Sequence, residues 1–319
     1  MPSLSKTLTL VLTVAYIPFS SAFTFAPTTA FSQKQSSALN MSEERRYTIP
    51  DQPARFARAK AENNERYLNI DSVYDPSYIK GKRVAITGAN RGIGLALAKE
   101  LVAQGGKLVA LVRSTSDELE ALKPDEIITG VEVTSDEACE AIASKIKGGP
   151  IDILVNNAGY FYEPVEKVTD GSLNFKEELK MIDICAVGPL RVSANLFQNG
   201  LLKEGSVIAM ITSQGGSISW RTVQNPTGGD YGHHMSKAAA NMMSVLLSQE
   251  FKDKKIPVGI LHPGFNKTEM TAKYAKIWEI EGAVDCSVGA KRVFHEIGKI
   301  NMETTGKFIN CEDGLEIPW

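Results

Sequence analysis

A strand, a glycine-rich turn and a helix follow one another within residues 83–100, and this stretch constrains the fold more than any other. The short apolar run at residues 84–86 is typical of a buried parallel strand. Gly88, Gly92 and Gly94 form the turn, and an apolar helix follows it. Such glycines let the backbone approach a pyrophosphate, while the helix amino terminus offers unpaired N–H groups and partial positive charge. The stretch therefore predicts a phosphate-binding turn, with a tight turn that holds no ligand as the alternative.

Two arginines near this turn bear on the type of phosphate. The second predicted strand, residues 108–112, is followed by Arg113, about 20 residues after the last glycine of the turn. An acidic residue at that offset would bind a ribose 2′-hydroxyl, whereas an arginine suits a 2′-phosphate. Arg91, inside the turn, is a second candidate for the same phosphate. We therefore expect NADP(H) as the cofactor, and the alternative is that both arginines are solvated surface charges.

The composition is that of a globular protein, with 43% hydrophobic and 23% charged residues and a formal net charge of −2 over 319 residues. Without a basic excess, nucleic acid is not an expected partner. The four cysteines form no CxxC pair and have no histidine at metal-ligand spacing; they are Cys139, Cys185, Cys286 and Cys311. We expect no metal site and no disulfide framework.

The first 41 residues have the composition of a targeting sequence. Residues 7–19 form an apolar stretch of the length of a signal-peptide core, which is shorter than a transmembrane helix requires. Small residues follow at 20–22, as at a signal-peptide cleavage site. Residues 23–41 are rich in Ser, Thr and Ala and contain no Asp or Glu, as transit peptides do. A signal peptide followed by a transit peptide that starts at Phe23 resembles the plastid-targeting leader of diatoms and related algae. The resemblance implies a plastid location and no stable membrane span in the mature chain; secretion or an endomembrane location is the alternative.

The remaining chain divides into a short extension and one domain. Residues 42–80 are polar, with a helical pattern around 54–67, and we interpret them as an extension that packs on the domain or on a partner. From residue 81 to 319, strands alternate with helices. Further strands are predicted at 127–133, 151–155, 206–211 and 258–261, and helices at 137–146, 175–197 and 236–251. The alternation predicts an α/β fold, a doubly wound parallel sheet of Rossmann type in a single domain, with the ligand at the carboxyl ends of the strands.

Five motifs, in order, resemble those of the short-chain dehydrogenase/reductase family across residues 81–319. They are TGANRGIG (87–94), NNAG (156–159), a strand ending in Ser213, Lys237 in MSKAAANM, and HPGFNKTEM (262–270). The SQGGSIS and GPLRV segments and the Pro-Trp ending are similar to the carbonyl-reductase and C-signal-like branch. The resemblance implies hydride transfer between NADP(H) and a small carbonyl or alcohol substrate. It also implies a set of cofactor contacts: Gly88, Asn90, Arg91, Gly92, Ile93, Gly94, Arg113, Asn157, Ala158, Gly159, Lys237, Pro263, Gly264, Phe265 and Thr268. Because dimers and tetramers are common in the family, a homo-oligomer is a further expectation.

The acid/base position departs from the family pattern. In the family a serine holds the substrate oxygen, and a tyrosine four residues before a lysine exchanges the proton. Ser213 and Lys237 match, but the residue four before Lys237 is His233, and Tyr231 stands six before it. Residues at i and i+4 share a helix face, so His233 and Lys237 should converge, whereas Tyr231 lies on a different face if the helix extends that far.

The histidine leaves several functions open. Imidazole has an ordinary pKa near 6.5 and can exchange protons at neutral pH, but the neighbouring Lys237 would lower that pKa and make the acid form scarcer. The first interpretation is an oxidoreductase with Ser213, His233 and Lys237 as its catalytic residues. The others are an NADP-binding protein without catalysis and a non-redox enzyme, such as an isomerase or dehydratase, on the same fold. His234 and Tyr231 are alternative acid/base groups.

Three further features concern the surroundings of the site. Cys185 stands where the family has an asparagine that supports a proton relay through water, and we interpret it as a small buried side chain. Glu132 stands where an aspartate near the adenine is usual. Two segments, residues 214–230 with Trp220 and residues 272–285 with Tyr274 and Trp278, should supply the apolar and aromatic walls that fit a small carbonyl compound.

Overall fold

The structure is a computed structural model that describes residues 46–163 and 165–319. Its strands, in chain order, are β1 Arg83–Thr87, β2 Lys107–Leu111, β3 Glu126–Ile128, β4 Ile153–Asn156, β5 Val207–Ile211, β6 Val258–His262, β7 Asn266–Lys267, β8 Val284–Asp285 and β9 Phe308–Asn310. Seven of them form one sheet in the order β3-β2-β1-β4-β5-β6-β9, and β7 pairs with β8 separately. Every pair in the large sheet is parallel. The leader predicted for residues 1–41 lies outside the described residues.

The strand order reverses between β1 and β4, which are neighbours in the sheet although two strands separate them in the chain. In doubly wound folds the ligand binds outside the carboxyl ends of the strands at such a reversal. The glycine turn follows β1 and the NNAG segment follows β4, so the topology brings these two motifs together.

Helices cover both faces of the sheet. They are α1 Gln52–Ala61, α2 Glu65–Leu68, α3 Gly92–Ala103, α4 Asp117–Ala121, α5 Asp136–Glu140, α6 Ile142–Lys145, α7 Phe175–Ile182, α8 Gly188–Gln198, α9 Arg221–Gln224, α10 Tyr231–Glu250, α11 Trp278–Glu281 and α12 Cys286–Ile297. Of the two largest apolar clusters, one joins the sheet to α3 and α12, and the second joins it to α6, α8 and α10. The predicted doubly wound parallel sheet is therefore confirmed.

Several element bounds differ from the sequence predictions for local reasons. The strand predicted to reach residue 133 ends at Ile128, because Gly130 has a φ of +75° and turns the chain. The helix predicted at 175–197 contains a π-helical turn, Asp183–Val187, between α7 and α8. The helix at 137–146 is two short helices, and α10 begins at Tyr231 rather than at residue 236. Strand β9, only three residues long, was missed.

Residues 46–80 of the extension belong to the same compact unit as the domain. Side chains of the extension reach the interior: Arg55 is 3% exposed, Tyr67 2% and Ile79 0%. The extension thus packs on the domain, the first of the two arrangements considered above. Within the described residues no helix combines the length and apolar character that crossing a bilayer requires.

Candidate active site

The glycine turn between β1 and α3 is built for close backbone approach. A Cβ at Gly94 would lie 2.1 Å from the carbonyl oxygen of Gly88, so only glycine fits there. Gly88 and Gly92 have positive φ angles of +67° and +54°. Arg91 is the N-cap of α3 but makes no side-chain cap bond, and the first helical turn contains no acidic residue. The amino-terminal N–H groups therefore remain available to an anion, and the turn fits a pyrophosphate.

Hydrogen bonds join this turn to the NNAG segment. The Thr87 hydroxyl oxygen accepts from the backbone N–H groups of Asn157 and Ala158, each at 2.9 Å. In return the Asn157 side-chain amide donates to the Thr87 carbonyl at 3.0 Å. Three predicted contact residues, Gly88, Asn157 and Ala158, are thereby held against one another at the sheet's reversal point.

The predicted 2′-phosphate side is also assembled from two loops. The Asn90 side chain donates to the Ser114 carbonyl at 3.0 Å, and the Ser116 hydroxyl donates to the Asn90 carbonyl at 2.9 Å. These bonds tie the turn to the segment after β2 that carries Arg113. The Ile93 side chain points elsewhere, towards Gly289 of α12.

Arg91 and Arg113 are both 67% exposed. Arg91 lies 3.9 Å from Glu269, and Arg113 lies 3.6 Å from Glu132. Exposed pairs of this kind contribute little energy, so each guanidinium group can turn towards a bound phosphate.

The start of α10 places the catalytic candidates on one helix. Because the helix already includes Tyr231, that side chain lies on a different face from Lys237, as the sequence analysis anticipated for a helix of this extent. His233 and Lys237 are one turn apart on a shared face. A Cβ at Gly159 would lie 4.0 Å from Lys237 Nζ, so the lysine reaches the NNAG segment across the site.

His233 also contacts the turn that follows β5. A Cβ at Gly215 would lie 2.8 Å from His233 Nε2, and the Gly215 N–H donates to the Ser213 hydroxyl oxygen at 3.0 Å. The Phe161 ring meets the imidazole edge to face at 4.9 Å. The imidazole Nδ1 is buried and has no hydrogen-bond partner among the described residues. His233 therefore lies against the turn that begins at Ser213, and it shares a helix face with Lys237.

Burial, followed by the nearby charge of Lys237, lowers the pKa of His233 well below its ordinary value. The lowering agrees with the sequence argument about Lys237, but desolvation is the larger cause. At neutral pH the imidazole is therefore uncharged and available as a proton acceptor.

His234 has a structural role instead. Its Nδ1 lies 2.9 Å from the Gly215 carbonyl, and its Nε2 lies 3.2 Å from the Asn225 side-chain amide. Arg221 packs beside the same ring, at 3.2 Å from Nδ1. Both ring nitrogens are thus engaged with the 214–230 segment rather than with the site.

Cys185 lies in the π-helical turn and is fully buried. Its thiol donates to the Tyr160 carbonyl, with Sγ 3.6 Å from the oxygen. The position therefore holds a small buried side chain, as interpreted from the sequence. Helical irregularities of this kind often occur at functional sites. Through the bond to Tyr160, this one lies against the chain directly after Gly159.

The loop predicted to face the nicotinamide follows β6. Gly264 has a φ of +83°, and a Cβ there would lie 2.5 Å from Glu312 Cγ. The Phe265 N–H donates to Glu312 Oε1 at 3.1 Å. Thr268 caps the following 3₁₀ helix, accepting from the Thr271 N–H at 3.2 Å. Glu312, 47 residues beyond Phe265, was not singled out from the sequence because nothing near it marks a site.

The two segments predicted as walls behave differently. Trp220 does not line the site: it is 4% exposed and packs with Ile260, Phe308 and Ile317, since its indole completes the core beside β6 and β9. In the second segment, Lys273 Nζ lies 4.1 Å from the Phe161 ring centre and 5.1 Å from that of Tyr274.

Phe161 and Lys273 were both missed from the sequence. The only available signal for Phe161 was its position just after the NNAG motif. The described residues contain no cluster of His, Cys, Asp or Glu placed to hold a metal ion, and all four cysteines are free thiols.

Comparison with known proteins places this geometry in a family. A profile of the short chain dehydrogenase family matches residues 82–277. A 1-hydroxy-2-glutathionyl-2-methyl-3-butene dehydrogenase from Rhodococcus is 29% identical over 238 residues, which cover 74% of this chain and 99% of that protein. The C-signal protein of Myxococcus xanthus is 32% identical over 183 residues, 56% of this chain and 99% of its own length. An NADPH-bound carbonyl reductase from chicken fatty liver superposes with a TM-score of 0.65 at 24% identity, covering 75% of this chain and all of the other.

The chain belongs to the short-chain dehydrogenase family, and its Rossmann-type fold is that of the solved carbonyl reductase. Its relatives from Rhodococcus and Myxococcus are similar over nearly their whole length.

Proposed function

We propose that the protein is an NADP(H)-dependent oxidoreductase that transfers hydride to or from a small carbonyl or alcohol substrate. The position of His233, against the turn that begins at Ser213 and one helical turn from Lys237, carries this proposal. The Ser213 turn lies against His233, and Lys237 reaches Gly159 beside the cofactor turn. Family membership and an NADPH-bound structure of the same fold support the choice of reaction and cofactor.

The cofactor, when bound, supplies or accepts the hydride. The glycine turn and the amino terminus of α3 would hold its pyrophosphate, and Arg91 and Arg113 its 2′-phosphate. The segments at Asn157–Gly159 and Pro263–Thr268 would hold its nicotinamide half, with Lys237 at the ribose.

The three side chains divide the proton chemistry. The Ser213 oxygen accepts the Gly215 N–H, so its own proton can be donated to the substrate oxygen. Neutral His233 accepts the proton of an alcohol as it is oxidised and returns it when a carbonyl is reduced. The Lys237 ammonium favours negative charge on the substrate oxygen and lowers the fraction of His233 that is protonated.

A non-catalytic NADP-binding protein is the second candidate. The lowered pKa of His233 and its unpartnered Nδ1 favour it, because a scarce imidazolium is a weak replacement for a proton-donating tyrosine. Such a protein would bind NADP through the same turn and the same arginines, and it would act as a sensor or scaffold.

Two measurements test the proposal. Fluorescence titration with NADPH and NADH should show tighter binding of NADPH, and a panel of small carbonyl and quinone substrates should show NADPH consumption. Tighter binding of NADH would contradict the 2′-phosphate assignment. NADPH binding without turnover on any member of the panel would favour the second candidate.

We further propose a plastid location, on the composition of residues 1–41 and their resemblance to the plastid-targeting leader of diatoms and related algae. A fusion of these residues to a fluorescent protein, expressed in a diatom, should accumulate in the plastid. Export of the fusion to the medium would contradict this and indicate secretion.

A homo-oligomer is also proposed. Large apolar side chains are exposed on the neighbouring helices α7 and α10: Phe175 and Leu179 at 67% each, Met242 at 61% and Leu246 at 62%. Large apolar side chains exposed side by side on adjoining helices commonly mark an interface. Light scattering should show a mass above that of one chain, and Leu246→Glu should reduce it. A wild-type mass equal to one chain would contradict the proposal.

A further inference from the structure

The amino-terminal extension contributes a buried ion pair to the wall of the candidate site. Arg55 of α1 lies 2.9 Å from Glu312, and the two side chains are 3% and 0% exposed. Burial alone would raise the pKa of Glu312, but Arg55 above all, with smaller contributions from other groups, lowers it to about 2. The carboxylate is therefore charged, and Arg55 is its partner from outside the domain.

Glu312 holds the loop assigned to the nicotinamide. One of its oxygens, Oε1, accepts the Phe265 N–H at 3.1 Å. Its side chain also fills the space beside Gly264, where a Cβ would lie 2.5 Å from Glu312 Cγ. The position of this carboxylate thus sets the position of the backbone at Gly264 and Phe265.

The same extension reaches both segments that flank the substrate space. The Arg55 guanidinium donates to the Gln214 side-chain oxygen at 3.0 Å, directly after Ser213. The Gln52 amide donates to Glu312 at 2.9 Å and to the Glu281 carbonyl at 3.1 Å, at the end of the 272–285 segment. The Phe56 ring packs against Gly282, where a Cβ would lie 2.7 Å from it.

We propose that Arg55 is a positioning residue which acts through Glu312 and Gln214 to hold the nicotinamide loop and the Ser213 turn in register. This inference rests on the proposed function. None of the contacts described for Arg55, Glu312 and Gln214 reaches the glycine turn. Arg55 should therefore govern the nicotinamide half of the cofactor site and leave the adenosine half unaffected.

The two halves can be measured separately. The probe 2′,5′-ADP contains the adenosine and 2′-phosphate but no nicotinamide, whereas NADPH contains both. For Arg55→Gln we expect an affinity for NADPH about tenfold weaker, turnover about 100-fold lower, and unchanged affinity for 2′,5′-ADP. A role confined to stability would change both affinities together or neither.

Arg58→Gln is the matched control, because Arg58 lies on the same helix and, among the residues that the structure describes, pairs only with Glu62, in an exposed i, i+4 contact at 2.7 Å. It should alter neither affinity. Equal losses of NADPH and 2′,5′-ADP binding in Arg55→Gln, or no loss of either, would overturn the proposal.

If Arg55→Gln does not fold, Gln214→Leu provides the test of the proposal. This substitution removes the bond between Arg55 and the Gln214 side chain but leaves the buried ion pair of Arg55 and Glu312 intact. We expect lower turnover with unchanged 2′,5′-ADP binding, and unchanged turnover would overturn the proposal. A wild-type protein that binds neither NADPH nor 2′,5′-ADP would instead refute the proposed function itself, and this inference with it.

Discussion

The glycine turn after β1 and the start of α10 lie at the same edge of the sheet but are specified in different ways. The turn works through backbone groups: Gly88, Gly92 and Gly94 exclude side chains, and the hydroxyl of Thr87 fixes the neighbouring loop. The start of α10 works through side chains, and its central one, His233, differs from the family pattern. Sites that use the backbone leave a glycine pattern that sequence reveals, whereas the chemistry of a side chain depends on what surrounds it.

His233 shows how strongly the surroundings of a side chain determine its chemistry. The sequence predicts its neighbour Lys237 and the direction of the pKa change. It does not predict the burial that dominates the change, because Phe161 and Gly215 come from two other loops. We therefore expect the glycine turn to tolerate few substitutions. Substitutions of His233 should instead distinguish an oxidoreductase from a non-catalytic NADP-binding protein.

The largest expected effect is at His233. If it is the acid/base, His233→Ala should lower turnover by about 100-fold or more, the usual contribution of general acid–base catalysis. Steady-state NADPH consumption on the carbonyl panel measures this, with NADPH affinity as the check that the cofactor site is intact. Unchanged turnover would show that another group exchanges the proton.

His233→Tyr restores the family residue and completes the test. If the wild-type protein is inert and His233→Tyr gains carbonyl reduction, the protein is an NADP-binding protein whose acid/base has been lost. If the wild-type protein is active and His233→Ala is not, histidine is the working group.

The next largest effect is expected in the turn, at Gly94. A Cβ there would lie 2.1 Å from the Gly88 oxygen and 2.5 Å from Asn157 Nδ2, so Gly94→Ala must displace the backbone. We expect about 100-fold weaker NADPH binding, in line with the upper range for overpacking.

Gly92→Ala is the matched comparison, because a Cβ at Gly92 has nothing within 4 Å and only the positive φ of +54° opposes it. Strain of this kind costs about 1–2 kcal/mol, so the loss should be clearly smaller. Equal tolerance of alanine at both positions would contradict a turn whose close approach binds the cofactor.

A smaller effect is expected at Arg113. Arg113→Ala should weaken NADPH binding about tenfold and leave NADH binding unchanged, because a charge-assisted bond to the 2′-phosphate is lost. Paired titrations with the two cofactors measure it, and Arg58→Ala serves as an exposed arginine remote from the turn. Equal weakening of NADPH and NADH would mean that Arg113 supports the fold rather than reads the phosphate.

Much of the fold could be predicted because its signals are local. The apolar strands, the glycine turn and the NNAG segment each lie in one stretch of the chain. The short β9, the π-helical turn around Cys185 and the end of β3 at Ile128 could not, because three-residue strands and helix irregularities have no periodic pattern.

The parts of the site that escaped prediction are contacts between distant stretches. Arg55 and Glu312 meet across 257 positions, and Lys273 approaches Phe161 from a separate segment. Trp220 was misassigned for the related reason that an aromatic residue in a loop fits equally well over a ligand or against a core. The burial of the side chain distinguishes these two positions, and the burial of a single residue is difficult to predict from sequence.

The smallest effect is expected at Tyr231, where an unchanged turnover would itself be informative. Tyr231 is 39% exposed at the first position of α10 and faces away from Lys237. Removing its hydroxyl in Tyr231→Phe should change turnover by no more than about twofold, the scale of an ordinary surface substitution. Steady-state kinetics measured beside His233→Ala provides the internal reference. A loss in Tyr231→Phe comparable to that of His233→Ala would mean that the first turn of α10 rearranges to bring the phenol to the substrate, and the catalytic end of the site would then follow the family pattern after all.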